Sequence, residues 1–209
     1  CSTATRPAQV VSINDFIQNC CQQHKELLGF ATLHPAFEDI PGEVSRVAGL
    51  GLRGVKLHPD FQQFCIDDPA AFPIYDACAA AGLPILFHTG DDRYDWSAPA
   101  RLAVVARRFP KLTCIAAHFG GYNHWQDVEV YRSLPNVWFD TSSTLFKLPR
   151  DRALELLDLL GTRRFLFGTD FPMWDHREEL DRFLALGLPE EARDDILHRN
   201  FQRLFEVAL

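Results

Sequence analysis

The chain has 209 residues, 47% hydrophobic and 23% charged, which sets it among globular proteins and excludes a disordered one. One domain, residues 1–209, can bury a core at this length without staples. A net charge of −7 with no basic run argues against nucleic acid, and no apolar stretch approaches the roughly 20 residues that cross a bilayer.

In chain order, short β-branched or aromatic runs alternate with amphipathic stretches of helical length. The runs Leu28–His34, Leu52–His58, Leu83–Thr89, Leu112–His118, Asn136–Thr141 and Arg164–Asp170 read as strands. Their ends at 34, 58, 88, 118, 140 and 170 lie 24, 30, 30, 22 and 30 residues apart, the rhythm of βα units with a helix after each strand. The runs are apolar almost throughout, as parallel strands covered on both faces are. Between the last two, Ala153, Leu156, Leu157 and Leu160 recur at helical spacing and Gly161 stops the helix. Asp175 with Glu178 reads as an N-cap and capping-box partner, and Pro189 opens a closing helix whose Leu197, Phe201, Leu204 and Phe205 are apolar. Six cysteines form neither a disulfide scaffold nor a metal knuckle, so they read as reduced thiols of a cytoplasmic protein. The chain begins at Cys1 rather than Met and close to a loop, which reads as a piece of something longer.

The strand ends carry the chemistry. They read Lys56-Leu57-His58-Pro59, Phe87-His88-Thr89-Gly90, Ala117-His118-Phe119-Gly120-Gly121, Phe139-Asp140-Thr141-Ser142 and Gly168-Thr169-Asp170-Phe171-Pro172. His and Asp are costly in apolar strands unless paired or liganded, and repeating that cost at successive tips points to a shared site. Barrels gather catalytic groups at the carboxyl ends of their strands. No G-x-G-x-x-G or Walker motif supports a doubly wound nucleotide fold instead. Strand alternation places Leu86 on the face of His88, Cys114 and Ala116 on that of His118, and Leu166 and Gly168 on that of Asp170. Lys56 and His58 share a parity and face one cavity, although a His before Pro also serves to cap its own turn. Gly120 and Gly121 leave space for a ligand. In the loop after the third run, Arg93 suits a substrate carboxylate and Tyr94 a flat ring; the alternative is Arg93 paired to Asp91 or Asp95. Trp174 is placed to wall the pocket.

The three tips around His88, His118 and Asp170, in this order, resemble the amidohydrolase superfamily. They are most similar to its amidohydrolase-related branch, which includes the aminocarboxymuconate-semialdehyde decarboxylase-like enzymes. The resemblance spans the whole chain and implies a (β/α)8 TIM-barrel type fold with a divalent metal, Zn²⁺ foremost and Mn²⁺ as the other choice. It implies that His88 and Asp170 are metal ligands, with His58 as a further candidate, and that His118 and Asp170 are catalytic. Family members open with a His-x-His metal pair on the first strand, and this sequence has none, so its six βα units are expected to be the third to eighth of an N-terminally incomplete barrel. The outer strands are then expected to be open edges with unpaired N–H and C=O groups. The leading functional expectation is a metal-dependent hydrolase of a small-molecule substrate, in which a metal-bound water attacks and Asp170 moves its proton. The alternatives are a metal-dependent non-oxidative decarboxylase of an aromatic or muconate-like acid, with Arg93 and Lys56 binding substrate, and an inactive fragment. Assembly as a homo-oligomer is compatible with either enzyme; no membrane or nucleic-acid partner is expected.

Overall fold

The computed structural model describes residues 1–207, so the last two residues of the predicted domain lie outside the described ones. All six strands are present, each shorter than its apolar run: β1 (Ala31–Thr32), β2 (Val55–Leu57), β3 (Ile85–Phe87), β4 (Cys114–Ala116), β5 (Val137–Asp140) and β6 (Phe165–Leu166). The runs overshoot because their polar tips leave the ladder; His58, for instance, already caps a helix that opens at Pro59. The strands pair in parallel in the strict order β1-β2-β3-β4-β5-β6. A doubly wound sheet reverses its order at a switch point, whereas a barrel lays its strands down sequentially.

Nine α-helices are described: α1 (Val10–Gln23), α2 (Ile40–Gly49), α3 (Pro59–Gln62), α4 (Phe72–Ala81), α5 (Pro99–Arg108), α6 (Arg150–Leu160), α7 (His176–Leu184), α8 (Glu190–Asp194) and α9 (Asn200–Phe205). The predicted stripe of α6 is buried, and Gly161 ends the helix with a φ of 85°. Asp175 caps α7 by accepting from the N–H groups of Arg177 and Glu178; the Glu178 side chain pairs with Arg182 instead of closing the box. The expected helix after every strand fails once. Only a single 3-10 turn, Val128–Tyr131, bridges β4 and β5, because successive turns over 117–127, tied to the tip of β3 by Tyr122 N donating to Thr89 O at 2.7 Å, take up the first half of the crossover. Among the described residues no helix is long and apolar enough to cross a membrane.

The sheet has two apolar faces. Ile85, Phe87, Cys114, Ala116, Val137, Phe139 and Phe165 pack toward the helices in the main core. Leu86, Ile115, Trp138 and Leu166 face the other way and are covered by Phe30 and by Phe201, Leu204 and Phe205 of α9. The predicted parity under His118 is therefore wrong: Ile115, not Cys114 and Ala116, shares the inner face. His118 and Phe119 adopt left-handed φ values of 61° and 54°, and that turn breaks the alternation from which the parity was read.

No ladder joins β1 to β6 among the described residues, so the sheet is open, yet its edges are not bare as expected. At the β1 edge the fully buried Asn14 of α1 acts as a strand partner. Its Oδ1 accepts from Thr32 N at 2.7 Å and its Nδ2 donates to Thr32 O at 3.1 Å. At the β6 edge Phe167 N donates to Ile196 O at 2.9 Å and Asn200 Nδ2 to Phe165 O at 2.6 Å. Side-chain amides suit this because each offers a donor and an acceptor spaced like a peptide group. Asn14→Leu keeps the volume but strands two buried backbone groups, so it should lower unfolding free energy by about 1–3 kcal/mol for each group left unpaired. Urea titration of the purified chain measures this; a loss below about 0.5 kcal/mol would mean that water serves the edge equally well.

Candidate active site

The carboxyl ends of β2, β3, β4 and β6 deliver Lys56, His58, His88, His118 and Asp170 to one cleft of about 400 Å³, with Phe61 and Tyr122 as aromatic walls. The construction begins at Asp140, the last residue of β5. Its Oδ1 accepts from His118 N at 2.9 Å, Ser142 N at 3.0 Å and Ser142 Oγ at 2.6 Å. Those bonds, with Trp125 Nε1 donating to His118 O at 3.0 Å, hold His118 in its left-handed conformation. The conformation costs a non-glycine residue roughly 1–2 kcal/mol, less than such charge-assisted bonds return together.

His118 is 4% exposed and sits between two partners. Its Nδ1 lies 3.1 Å from Ser142 O and 3.0 Å from Ser142 Oγ, and its Nε2 lies 3.0 Å from Nδ1 of His88. His88 in turn stacks on His58 with centroids 3.9 Å apart, and His58 stacks on Phe61 at 3.8 Å. Burial pushes His58 down to about 3, helped by Lys56 and His118. Burial likewise drives His88 well below the usual imidazole range, assisted by His118, His58 and Lys56. His118 is lowered for the same first reason, against the pull of Asp140. The cluster is therefore neutral at physiological pH. Burial also lowers Lys56 to about 8, opposed by Asp140 and Asp170, so it is still mostly an ammonium ion at neutral pH.

Each predicted residue has a definite place. Both readings of His58 hold, since its Nδ1 accepts from Phe61 N at 3.4 Å and its ring faces the cleft. Asp170 takes a left-handed φ of 58° and is exposed, with Oδ2 accepting from Ser143 Oγ at 2.7 Å. Trp174 is tied behind it, donating from Nε1 to Ser143 Oγ at 2.9 Å. Arg93 lines the cleft but its guanidinium grips Asp91 at 2.9 and 2.6 Å, the pairing that the sequence left as the alternative. Tyr94 stacks on Trp96 at 4.4 Å and does not line the cleft, because the loop packs its aromatics on each other. The space expected at Gly120 and Gly121 is filled by protein: a Cβ there would meet Tyr131, Phe139 and Pro99 at 2.9–3.2 Å.

Sequence reasoning passed over Asp60, Ser142 and Ser143. Asp60 is buried, neither of its carboxylate oxygens has a hydrogen-bond partner, and Oδ2 lies 4.0 Å from His58 Nδ1. His58, Asp60 and His88 each bring one donor atom within 4.8 Å of the others. An orphaned buried carboxylate beside neutral imidazoles is a donor set that suits a divalent cation. The His58 and His88 planes are 10° apart, so both rings meet one ion only after one of them turns. Asp170, the carboxylate that the resemblance gives to the metal, is not one of the three. The available signal was the polarity of Asp140-Thr141-Ser142-Ser143 and of His58-Pro59-Asp60 immediately beyond apolar strands.

The family model described as Amidohydrolase matches residues 3–207. The chain belongs to the amidohydrolase family. Solved structures agree on the fold. 5-Carboxyvanillate decarboxylase from Sphingomonas paucimobilis is 18% identical, with a TM-score of 0.77, over 97% of this chain and 73% of its own. An uncharacterised TIM-barrel protein from Bordetella bronchiseptica is 23% identical, with a TM-score of 0.79, over 92% of this chain and 72% of its own. A dihydroxybenzoic acid decarboxylase from Polaromonas sp. JS666, solved with manganese and the inhibitor 2-nitroresorcinol, is 20% identical, with a TM-score of 0.74, over 96% of this chain and 75% of its own. No curated protein sequence matches the chain. This amidohydrolase-family chain therefore has the six-stranded parallel α/β sheet of a TIM-barrel relative.

Asp140 predicts a sharp contrast between two substitutions. All three donors converge on Oδ1 alone, so Asp140→Asn can keep them with its own Oδ1, whereas Asp140→Ala strands them. The alanine variant should lose about 3 kcal/mol and the asparagine variant about 1 kcal/mol or less in denaturant unfolding. Equal losses would show that the charge, not the hydrogen bonds, holds the turn.

Proposed function

We propose that the cleft carries out metal-dependent, non-oxidative decarboxylation of a flat aromatic carboxylic acid. The observation that carries this reading is the juxtaposition of a cationic Lys56, a neutral imidazole at His88 and an exposed carboxylate at Asp170 in one aromatic-walled cleft. The decarboxylases of like fold support it over the hydrolase first expected from the sequence.

The reaction exchanges a carboxylate for a proton. The C–C bond breaks, its electron pair stays on the ring carbon and takes up a proton, and CO₂ leaves. Lys56 neutralises the substrate carboxylate as it enters, and Phe61 and Tyr122 hold the ring flat. His88, with His58 and Asp60 beside it, would hold the divalent ion. When bound, such an ion supplies Lewis-acid stabilisation to substrate oxygens. Asp170 delivers the proton to the ring carbon: Ser143 occupies its Oδ2, leaving Oδ1 to carry a proton drawn from solvent at its exposed face.

Incubating the chain with a panel of hydroxybenzoic acids should give CO₂ and the arene in equal amounts. Chelation should abolish the activity, and Mn²⁺ or Zn²⁺ should restore it. Hydrolysis of lactones or amides with no CO₂ from any acid would reverse the reading. Asp170→Asn should lower kcat by about 10²–10⁴-fold with the fold intact by circular dichroism. Retention within roughly tenfold, or about 1.4 kcal/mol of barrier, would take the proton-carrying role from Asp170.

A further inference from the structure

His118 was expected to act on substrate, yet it is almost fully buried and its two ring nitrogens are both engaged by protein. The directions of those hydrogen bonds follow from what each partner can do. Ser142 O only accepts, so the His118 nitrogen 3.1 Å away, Nδ1, must carry the hydrogen. The single hydroxyl hydrogen of Ser142 goes to Asp140 Oδ1 at 2.6 Å, which leaves Ser142 Oγ as a second acceptor for that same Nδ1–H. Thr144 Oγ1 donates to Ser142 O at 2.8 Å and so fixes the carbonyl from behind. A neutral ring protonated on Nδ1 has a bare Nε2. His118 Nε2 therefore accepts at 3.0 Å, and the hydrogen between the two rings belongs to His88 Nδ1. With its hydrogen on Nδ1, His88 carries its ring lone pair on Nε2.

We propose that His118 is a positioning residue that locks His88 in the Nδ1–H form and thereby presents the bare Nε2 of His88 to the cleft as a ready-made ligand for a divalent cation. The chain of command runs from Asp140 through Ser142 and His118 to His88. A metal-binding imidazole is typically fixed this way, by a partner that takes the hydrogen of its other nitrogen and so sets both tautomer and ring orientation. The usual partner is a carboxylate, a carbonyl or water; here it is a second histidine whose own tautomer is dictated by a backbone carbonyl. The inference rests on the metal dependence proposed above but not on decarboxylation, and it leaves Asp170 free for proton transfer.

Two substitutions separate the contacts of His118. Asparagine places its amide where Nδ1 of histidine stands and tolerates a left-handed backbone, so His118→Asn keeps the Ser142 contact and drops the one to His88. Glutamine reaches the place of Nε2, so His118→Gln restores an acceptor to His88. Calorimetric titration of the full chain with Mn²⁺ or Zn²⁺ alone should show His118→Asn binding about 10- to 100-fold more weakly than wild type, and His118→Gln within about threefold. Nitrogen-15 imidazole shifts read the cause directly. Metal-free wild type should carry the His88 proton on Nδ1, and His118→Asn should move it toward Nε2. A wild-type His88 protonated on Nε2, or a His118→Asn variant that binds metal as wild type does, would overturn the proposal. If wild type binds no metal, the functional reading falls, and the tautomer measurement still decides whether His118 sets the state of His88. Thermal unfolding of both variants identifies a folding defect, in which case the wild-type tautomer alone is decisive.

Discussion

One carboxylate oxygen organises the polar end of this sheet. Oδ1 of Asp140 accepts from the main chain of His118 and from both the main chain and the hydroxyl of Ser142, joining the tips of β4 and β5. Parallel strands bring side chains to the same end but leave the loops beyond them free to diverge. A shared acceptor removes that freedom, because three donors cannot all reach one oxygen unless both loops adopt one geometry. The left-handed turn at His118, the orientation of its ring and the contact to His88 all follow from it.

Around that point the cluster is built from opposed electrostatic demands. Burial disfavours charge on each imidazole, and neighbouring Lys56 reinforces this at His58 and His88. Asp140 and Asp170 act in the other direction on Lys56, keeping its ammonium form despite burial. The result is a buried ammonium group, neutral imidazole nitrogens and a solvent-facing carboxylate within a single cleft. Burial keeps the imidazoles neutral while two nearby carboxylates keep Lys56 charged, so neighbouring groups in one cleft take different charge states.

The sheet itself is open, and its stability comes from how the openness is closed off. Asn14 on one side, and Asn200 with the carbonyl of Ile196 on the other, satisfy the outward backbone groups of β1 and β6. Helix α9 covers the inner apolar face with Phe201, Leu204 and Phe205. A bare edge of a parallel sheet would invite pairing with another chain; Asn14 answers that demand with two bonds to β1 and Asn200 with one to β6, with no added strand.

Six strands, their parallel character and the order of the residues His58, His88, His118, Asp140 and Asp170 were all legible in the sequence, because apolar runs and the polar residues that end them are local properties. So was the amidohydrolase resemblance, carried by three short tips. The failures share a cause. The helix between β4 and β5, the parity beneath His118 and the space expected at the glycine pair each depend on what the chain meets far along the sequence, as when Gly120 meets Tyr131 and Phe139. Asp60 and Ser142 look like ordinary loop residues until folding buries one without a partner and sets the other against a histidine 24 residues away. Sequence determined which chemistry arrives at the mouth of the sheet. Tertiary structure alone decided which atom faces which, because burial and the direction of a hydrogen bond exist only once distant segments have met.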